Sequence, residues 1–214
     1  MPPPVNARIP LSLLEAIRRI DTPEGEPDTE YVQELRNKRL GLSDTVCLQI
    51  RRYADAVKRG QKIPHAEVSG LGTLIGRRPD AGELFVSAGG ILAQEVYKSI
   101  SPTRRKIIGV IPGPAARILA VRQLKAIAGR FFGGTVKRTG SSLTLRIPDS
   151  VTVHSPAKSV GCVFYESALR ELMRLLVNAA GLVEHPLCSA RGDAICEWHA
   201  EWRTPAPTPT PTPG

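Results

Sequence analysis

The sequence predicts an α+β fold in which a helical N-terminal layer packs on a small antiparallel sheet. Through residue 132, apolar residues recur mainly at helical spacing. From residue 135 onward two strands, one strong helix and two more strands follow, in the order β-β-α-β-β. At 214 residues the chain fits one domain, which we place at residues 10–203. We expect disorder in residues 1–9 and in the Thr/Pro-rich tail, residues 204–214.

The first predicted helix covers residues 11–20, where Leu13, Leu14, Ile17 and Ile20 share one face. Further helices are predicted over residues 29–39, 44–59, 65–76, 81–100 and 115–132. Two adjacent glycines interrupt the helix over residues 81–100. Each costs about 1 kcal/mol relative to alanine, which indicates a close helix crossing, a kink or space for a ligand.

Two β-hairpins are predicted around the last helix. The first hairpin comprises residues 135–138 and 143–147, in which apolar and polar residues alternate on either side of a Thr-Gly-Ser-Ser turn. The second hairpin comprises residues 182–188 and 194–202. Between them, residues 161–180 carry a leucine-rich stripe at helical spacing and end at a glycine. These elements complete the predicted sheet and its covering helix.

The net charge of +9 is concentrated in the middle of the chain. Residues 34–138 hold 20 Lys+Arg against 7 Asp+Glu, a balance of +13. Such a region is typical of a surface that binds nucleic acid, anionic lipid or an acidic partner, or of a solvated helix face. Nucleic acid is not favoured, because no aromatic residues are interleaved with the cations. Six of the basic residues are the candidates for an anion-binding face: Arg104, Arg105, Lys106, Arg117, Arg122 and Lys125.

No apolar run reaches the roughly 18 residues that a spanning helix needs, and the N-terminus lacks the apolar segment of a secretory signal. Four cysteines in a chain of this length do not form a disulfide framework. We therefore expect a cytoplasmic protein, in which a cysteine cluster more often binds metal.

Cys162, Cys188 and Cys196 are predicted to meet, because they begin the last helix and occupy both arms of the last hairpin. Three thiolates need a fourth ligand for tetrahedral zinc, and His185 is the candidate, with Glu184 in reserve. Strand alternation alone points His185 and Cys188 to opposite faces unless Pro186 allows a bulge. Unliganded core thiols and a redox pair are the alternatives to zinc. A zinc with four protein ligands would be structural.

This helix and its hairpin, in which seven residues separate two cysteines, resemble the 4-vinyl reductase domain, specifically over residues 161–202. That family includes the sensor module of aromatic-responsive bacterial transcription activators. The resemblance implies a zinc site of Cys, Glu, Cys and Cys. Cys162, Cys188 and Cys196 match three of these positions, and His185 stands at the position of the glutamate.

The resulting hypothesis is a small-molecule-binding or sensory module with a structural zinc and no output domain. The resemblance implies an apolar or aromatic ligand, and either a homodimer or a partner output protein. The pocket is expected between the helical layer and the sheet, with six candidate residues: Leu92, Val96, Tyr97, Phe131, Phe132 and Phe164. One alternative is a tetrapyrrole-pathway protein related to chlorophyll-precursor vinyl reductase, although no cofactor motif or catalytic acid–base pair is found. A basic nucleic-acid or anionic-surface binder is the other.

Overall fold

A computed structural model describes residues 2–22, 40–110, 113–154, 160–177 and 182–201. The α-helices in these ranges are α1 (Arg8–Asp21), α2 (Asp44–Lys58), α3 (His65–Ile75), α4 (Ala81–Lys98), α5 (Pro102–Val110), α6 (Gly113–Ile127) and α7 (Val163–Val177). The strands are β1 (Val5–Asn6), β2 (Lys62–Ile63), β3 (Thr135–Thr139), β4 (Ser142–Ile147), β5 (Val183–Leu187) and β6 (Cys196–Glu201). The predicted α+β class and the β-β-α-β-β order of the second half are confirmed.

Helix α4 lies at the centre of the helical layer, between α1 and α7. Most of its predicted apolar stripe is buried: Leu84, Ala88, Leu92 and Val96 lie in the core, whereas Ile91 and Glu95 are half-buried. The crossing with α7 is close because of Gly89: a Cβ there would lie 2.3 Å from the carbonyl oxygen of Phe164. A Cβ on Gly90 would meet nothing within 4 Å. Within the described ranges, packing therefore requires the first of the two adjacent glycines but not the second.

The main sheet has four antiparallel strands in the order β3-β4-β6-β5. The two hairpins join through β4 and β6, where Leu145 pairs with Trp198 and Ile147 pairs with Cys196. Alternate side chains of both strands enter the core, and α7 covers them. Tyr165 of α7 contacts Trp198 with 5.6 Å between ring centroids. This packing fixes the start of the last helix above the last hairpin.

The N-terminus differs from the prediction. Residues 1–9 were expected to be disordered, but Val5 pairs with Ile63 in a small second sheet and α1 begins at Arg8. Ala7 and Ile9 are buried in the core. Burial of these apolar side chains offsets the entropy of ordering the segment, which the prolines around it obscured in the sequence.

Two helical features were also missed. Helix α5 follows Ser101, whose hydroxyl accepts a hydrogen bond from the Arg104 amide at 3.4 Å, and Pro102 occupies its first turn. This Ser-Pro start is a signal that sequence reasoning could have used. The single helix predicted over residues 115–132 is divided in the structure. Its α-helical part, α6, ends at Ile127, and a π-helical turn follows over Ala128–Phe132.

The helix predicted over residues 29–39 and the tail, residues 204–214, lie outside the described residues. Within the described ranges, no helix is both long enough and apolar enough to cross a membrane.

Candidate metal centre

Four side chains from three elements converge between α7 and the last hairpin. Cys162, His185, Cys188 and Cys196 each bring a potential ligand atom to one place, and these atoms all lie within 4.8 Å of one another. The Sγ atoms of Cys162 and Cys188 are 3.5 Å apart. All three cysteines are buried, and His185 is half-buried. The four residues, called here the Cys3His cluster, could bind a metal ion.

A β-bulge brings His185 into the Cys3His cluster. Glu184 pairs with His199 and Leu187 pairs with Glu197, so three steps along β5 match two steps along β6. The extra residue cancels the alternation that would otherwise separate His185 from Cys188. Pro186 lies inside this bulge and has no N–H to donate to the ladder. Glu184, the reserve candidate, is exposed and lies outside the cluster.

The turn after β5 holds Cys188 in place. The Cys188 amide donates a hydrogen bond of 2.7 Å to Asp193 Oδ2, and its carbonyl accepts one of 2.8 Å from the Arg191 amide. Gly192 adopts a φ of 101°, which favours glycine. The Arg191 side chain donates to the His185 carbonyl at 2.8 Å. One turn therefore fixes the backbone at two members of the cluster.

Cys162 is positioned from the other side by a close backbone contact. It ends a short 3-10 turn, Val160–Cys162, that leads directly into α7. At the preceding position, Gly161, a Cβ would overlap the carbonyl oxygen of Thr152. Only glycine allows this approach, so the turn lies firmly against the buried segment of residues 151–153 and directs Cys162 towards the hairpin.

The electrostatics of the cluster favour a thiolate. The Cys162 thiol, the His185 ring and the Ser189 hydroxyl lower the pKa of Cys196 well below its usual range, despite burial. The Ser189 hydroxyl lies 3.0 Å from Cys196 Sγ. The same coupling to Cys196, together with burial, raises the pKa of Cys162. Cys196 therefore favours the thiolate form, and a bound cation would offset the raised pKa of Cys162.

His185 has the features of a ligand rather than of an ordinary buried histidine. Its ring stacks on Trp198 with 4.6 Å between centroids and 8° between planes, which fixes the ring orientation. Its Nε2 is buried and has no hydrogen-bond partner in the described part of the chain. A buried polar atom without a partner costs free energy, and coordination to a cation would remove that cost.

Two of the six residues expected to line a pocket, Phe131 and Phe132, border a cavity of about 200 Å³ beside β1. The other four do not line it. Leu92, Val96 and Phe164 are fully buried in the core, and Phe131 and Phe132 are nearly so. Tyr97 is half-buried, and the guanidinium of Arg105 lies over its ring at 5.4 Å from the centroid.

A cavity of about 370 Å³ lies between α5 and α6. Its lining is part apolar and part cationic, and two of the basic residues singled out in the sequence, Arg104 and Arg122, contribute to it. The other lining residues are Ile107, Ile108, Leu119, Gln123 and Ala126. Sequence reasoning missed this cavity because α5 itself was missed.

Comparisons with protein-family models, with curated proteins and with solved structures each gave no match. The resemblance to the 4-vinyl reductase domain therefore depends on the sequence pattern alone, most specifically on that of residues 161–202.

Proposed function

We propose that the Cys3His cluster binds one structural zinc ion, and that this zinc stabilises a small-molecule-binding module. The convergence of Cys162, His185, Cys188 and Cys196 carries the proposal. Thiolates and imidazole are the ligands that zinc prefers in structural sites, and four protein ligands leave no open position for a substrate.

The spacing of the ligand atoms supports tetrahedral coordination. Zn–S bonds of about 2.3 Å place tetrahedral sulfur ligands roughly 3.8 Å apart. The 3.5 Å between Cys162 and Cys188, and the 4.8 Å limit for the whole cluster, are close to that value. Only small side-chain adjustments would be needed for all four atoms to bind one ion.

A zinc at this position would join the 3-10 turn that precedes α7 to both arms of the last hairpin. Because Cys162 precedes Cys188 by 26 positions, the metal would close a long loop and connect the helical layer to the sheet. Its binding energy would then contribute to the folding free energy. The role is a structural one that stabilises the fold around a ligand site.

The proposed module binds a small apolar or aromatic compound and acts through self-association or a partner protein. Two features support this role. The pattern of residues 161–202 resembles a ligand-sensing domain, and the cavity between α5 and α6 has a volume within the range of natural small-molecule sites, roughly 300–1,000 Å³.

Metal analysis of protein purified without a histidine tag tests the zinc. We expect about one zinc per chain, and loss of both metal and thermal stability in Cys188→Ser and Cys196→Ser. His185→Ala should weaken zinc binding, whereas Glu184→Ala should not. Cys47→Ser is the matched control, because Cys47 is a half-buried free thiol on α2. The proposal fails if metal-free reduced protein gains neither zinc nor stability when zinc is added.

A further inference from the structure

We infer that the cavity between α5 and α6 binds an apolar compound that carries one oxyanionic group, a carboxylate or a phosphate. The inference rests on the proposed small-molecule-binding function and specifies the class of its ligand. The cavity lies between two helices of the basic middle region and shares no lining residue with the Cys3His cluster.

The apolar part of the cavity would accept an apolar ligand body. Among the lining residues, Ile108 is buried and Leu119 is half-buried. Ile107 is 45% exposed and presents apolar surface to solvent at the cavity. A ligand that covered Ile107 and Leu119 would remove apolar surface from water and gain free energy in proportion to the area buried.

The charged part of the cavity requires an anion. Arg104 and Arg122 line the cavity from opposite helices, and no acidic side chain within the described ranges lines it with them. Neither guanidinium forms an ion pair with a described carboxylate. Two like charges at one concave site repel each other, and an oxyanion between them would reverse that repulsion. Guanidinium groups bind carboxylate and phosphate by paired hydrogen bonds, and Gln123 offers a further donor.

The remaining basic residues of the candidate face do not line the cavity with this pair. Arg105 is half-buried over Tyr97, whereas Lys106 and Lys125 are exposed and do not line the cavity. The cations that sequence analysis grouped together therefore separate into a pair that lines the cavity and residues outside it. This separation favours a small anionic ligand over an extended polyanion, which would need aligned charges.

Fluorescence titration of the zinc-loaded protein with three naphthalene probes tests the inference. Naphthoate and naphthyl phosphate share an apolar body and differ in their oxyanion, and naphthalenemethanol is the neutral counterpart. We expect one or both anionic probes to bind at least about tenfold more tightly than the alcohol, the effect of one charge-assisted hydrogen-bond pair. Preference between the two anions identifies the oxyanion.

Exposed residues provide variants that should fold. Arg104→Gln and Arg122→Gln should each weaken binding of the preferred anion about tenfold and leave the alcohol unchanged. Ala126→Trp should block all three probes. Lys125→Gln removes the same charge from α6 outside the cavity and should leave every affinity unchanged.

The outcomes separate this inference from the proposed function. Equal affinity for anion and alcohol, or anion binding that survives both arginine variants, would overturn the inference. If a probe still binds to Ala126→Trp protein, it binds outside the cavity between α5 and α6, and the proposed small-molecule function would stand without this inference. If none of the probes binds to protein that contains one zinc per chain, the inference fails and the structural zinc stands. If the protein takes up no zinc but still binds the anionic probes more tightly than the alcohol, the inference about the cavity stands and the proposed structural zinc fails.

Discussion

The ring of His185 lies parallel to the indole of Trp198, with 4.6 Å between their centroids. Trp198 is fully buried under α7, so the stack connects the Cys3His cluster to the centre of the core. Any ion bound by His185 would therefore lie within a few ångströms of an intrinsic fluorophore. The sequence contains one other tryptophan, Trp202, which can be replaced to isolate the signal.

This stack predicts that Co²⁺ binding quenches Trp198. Co²⁺ occupies thiolate and imidazole sites of the zinc type, and its partly filled d shell accepts excitation energy at short range. In metal-free Trp202→Phe protein, emission should fall together with the rise of thiolate-to-cobalt absorption and should saturate at about one Co²⁺ per chain. Cys188→Ser in the same background should remove the saturation. Growth of the absorption band with unchanged emission would place the metal away from His185.

The bulge at Pro186 marks the limit of what the sequence could predict about the site. Cysteine spacing and a two-arm hairpin were enough to bring Cys162, Cys188 and Cys196 together, because those inferences need only topology. The choice between His185 and Glu184 depends on strand register, and one inserted residue reverses the result of alternation. The missing N–H of a proline was a signal for a bulge but did not fix its position.

The helical layer shows the same division between pattern and packing. Periodicity located six of the seven described α-helices, since an apolar stripe is a property of the local sequence. It did not locate α5, which is short, or reveal that Gly161 lies against Thr152. Close contacts of this kind are set by elements distant in the chain, so no local pattern predicts which glycine is required.

The two central glycines of α4 give a matched test of that packing. Gly89→Ala should destabilise the protein by about 2–3 kcal/mol, because its Cβ would lie 2.3 Å from a backbone oxygen that cannot move aside cheaply. Gly90→Ala should stabilise the protein by about 0.5–1 kcal/mol, since the position is helical and has free space. Urea unfolding of both variants measures the difference. Equal effects of the two substitutions would contradict the α4–α7 crossing described here.

The salt bridge of Asp21 predicts how stability depends on pH. Arg78 donates hydrogen bonds of 3.0 and 2.8 Å to the two carboxylate oxygens, and the Gly41 amide donates one of 2.8 Å. Although burial raises the pKa of Asp21, these bonds lower it below its ordinary value. Because the folded pKa lies below the unfolded one, the stabilisation is complete above the unfolded value of about 3.9 and is lost as the pH falls through the folded pKa.

Asp21→Asn should therefore cost about 2 kcal/mol at neutral pH, less than for a fully buried pair because Arg78 is 23% exposed. The difference from the unmodified protein should narrow as the pH falls below about 4, where protonation removes the same charge. Urea unfolding at neutral and acidic pH measures both values. Asp55→Asn is the control: Asp55 pairs with Lys58 at 3.4 Å on an exposed helix face, and its loss should change stability by less than about 0.5 kcal/mol. A deficit of Asp21→Asn that stays constant between these pH values would mean that the lost interaction does not depend on the charge of Asp21.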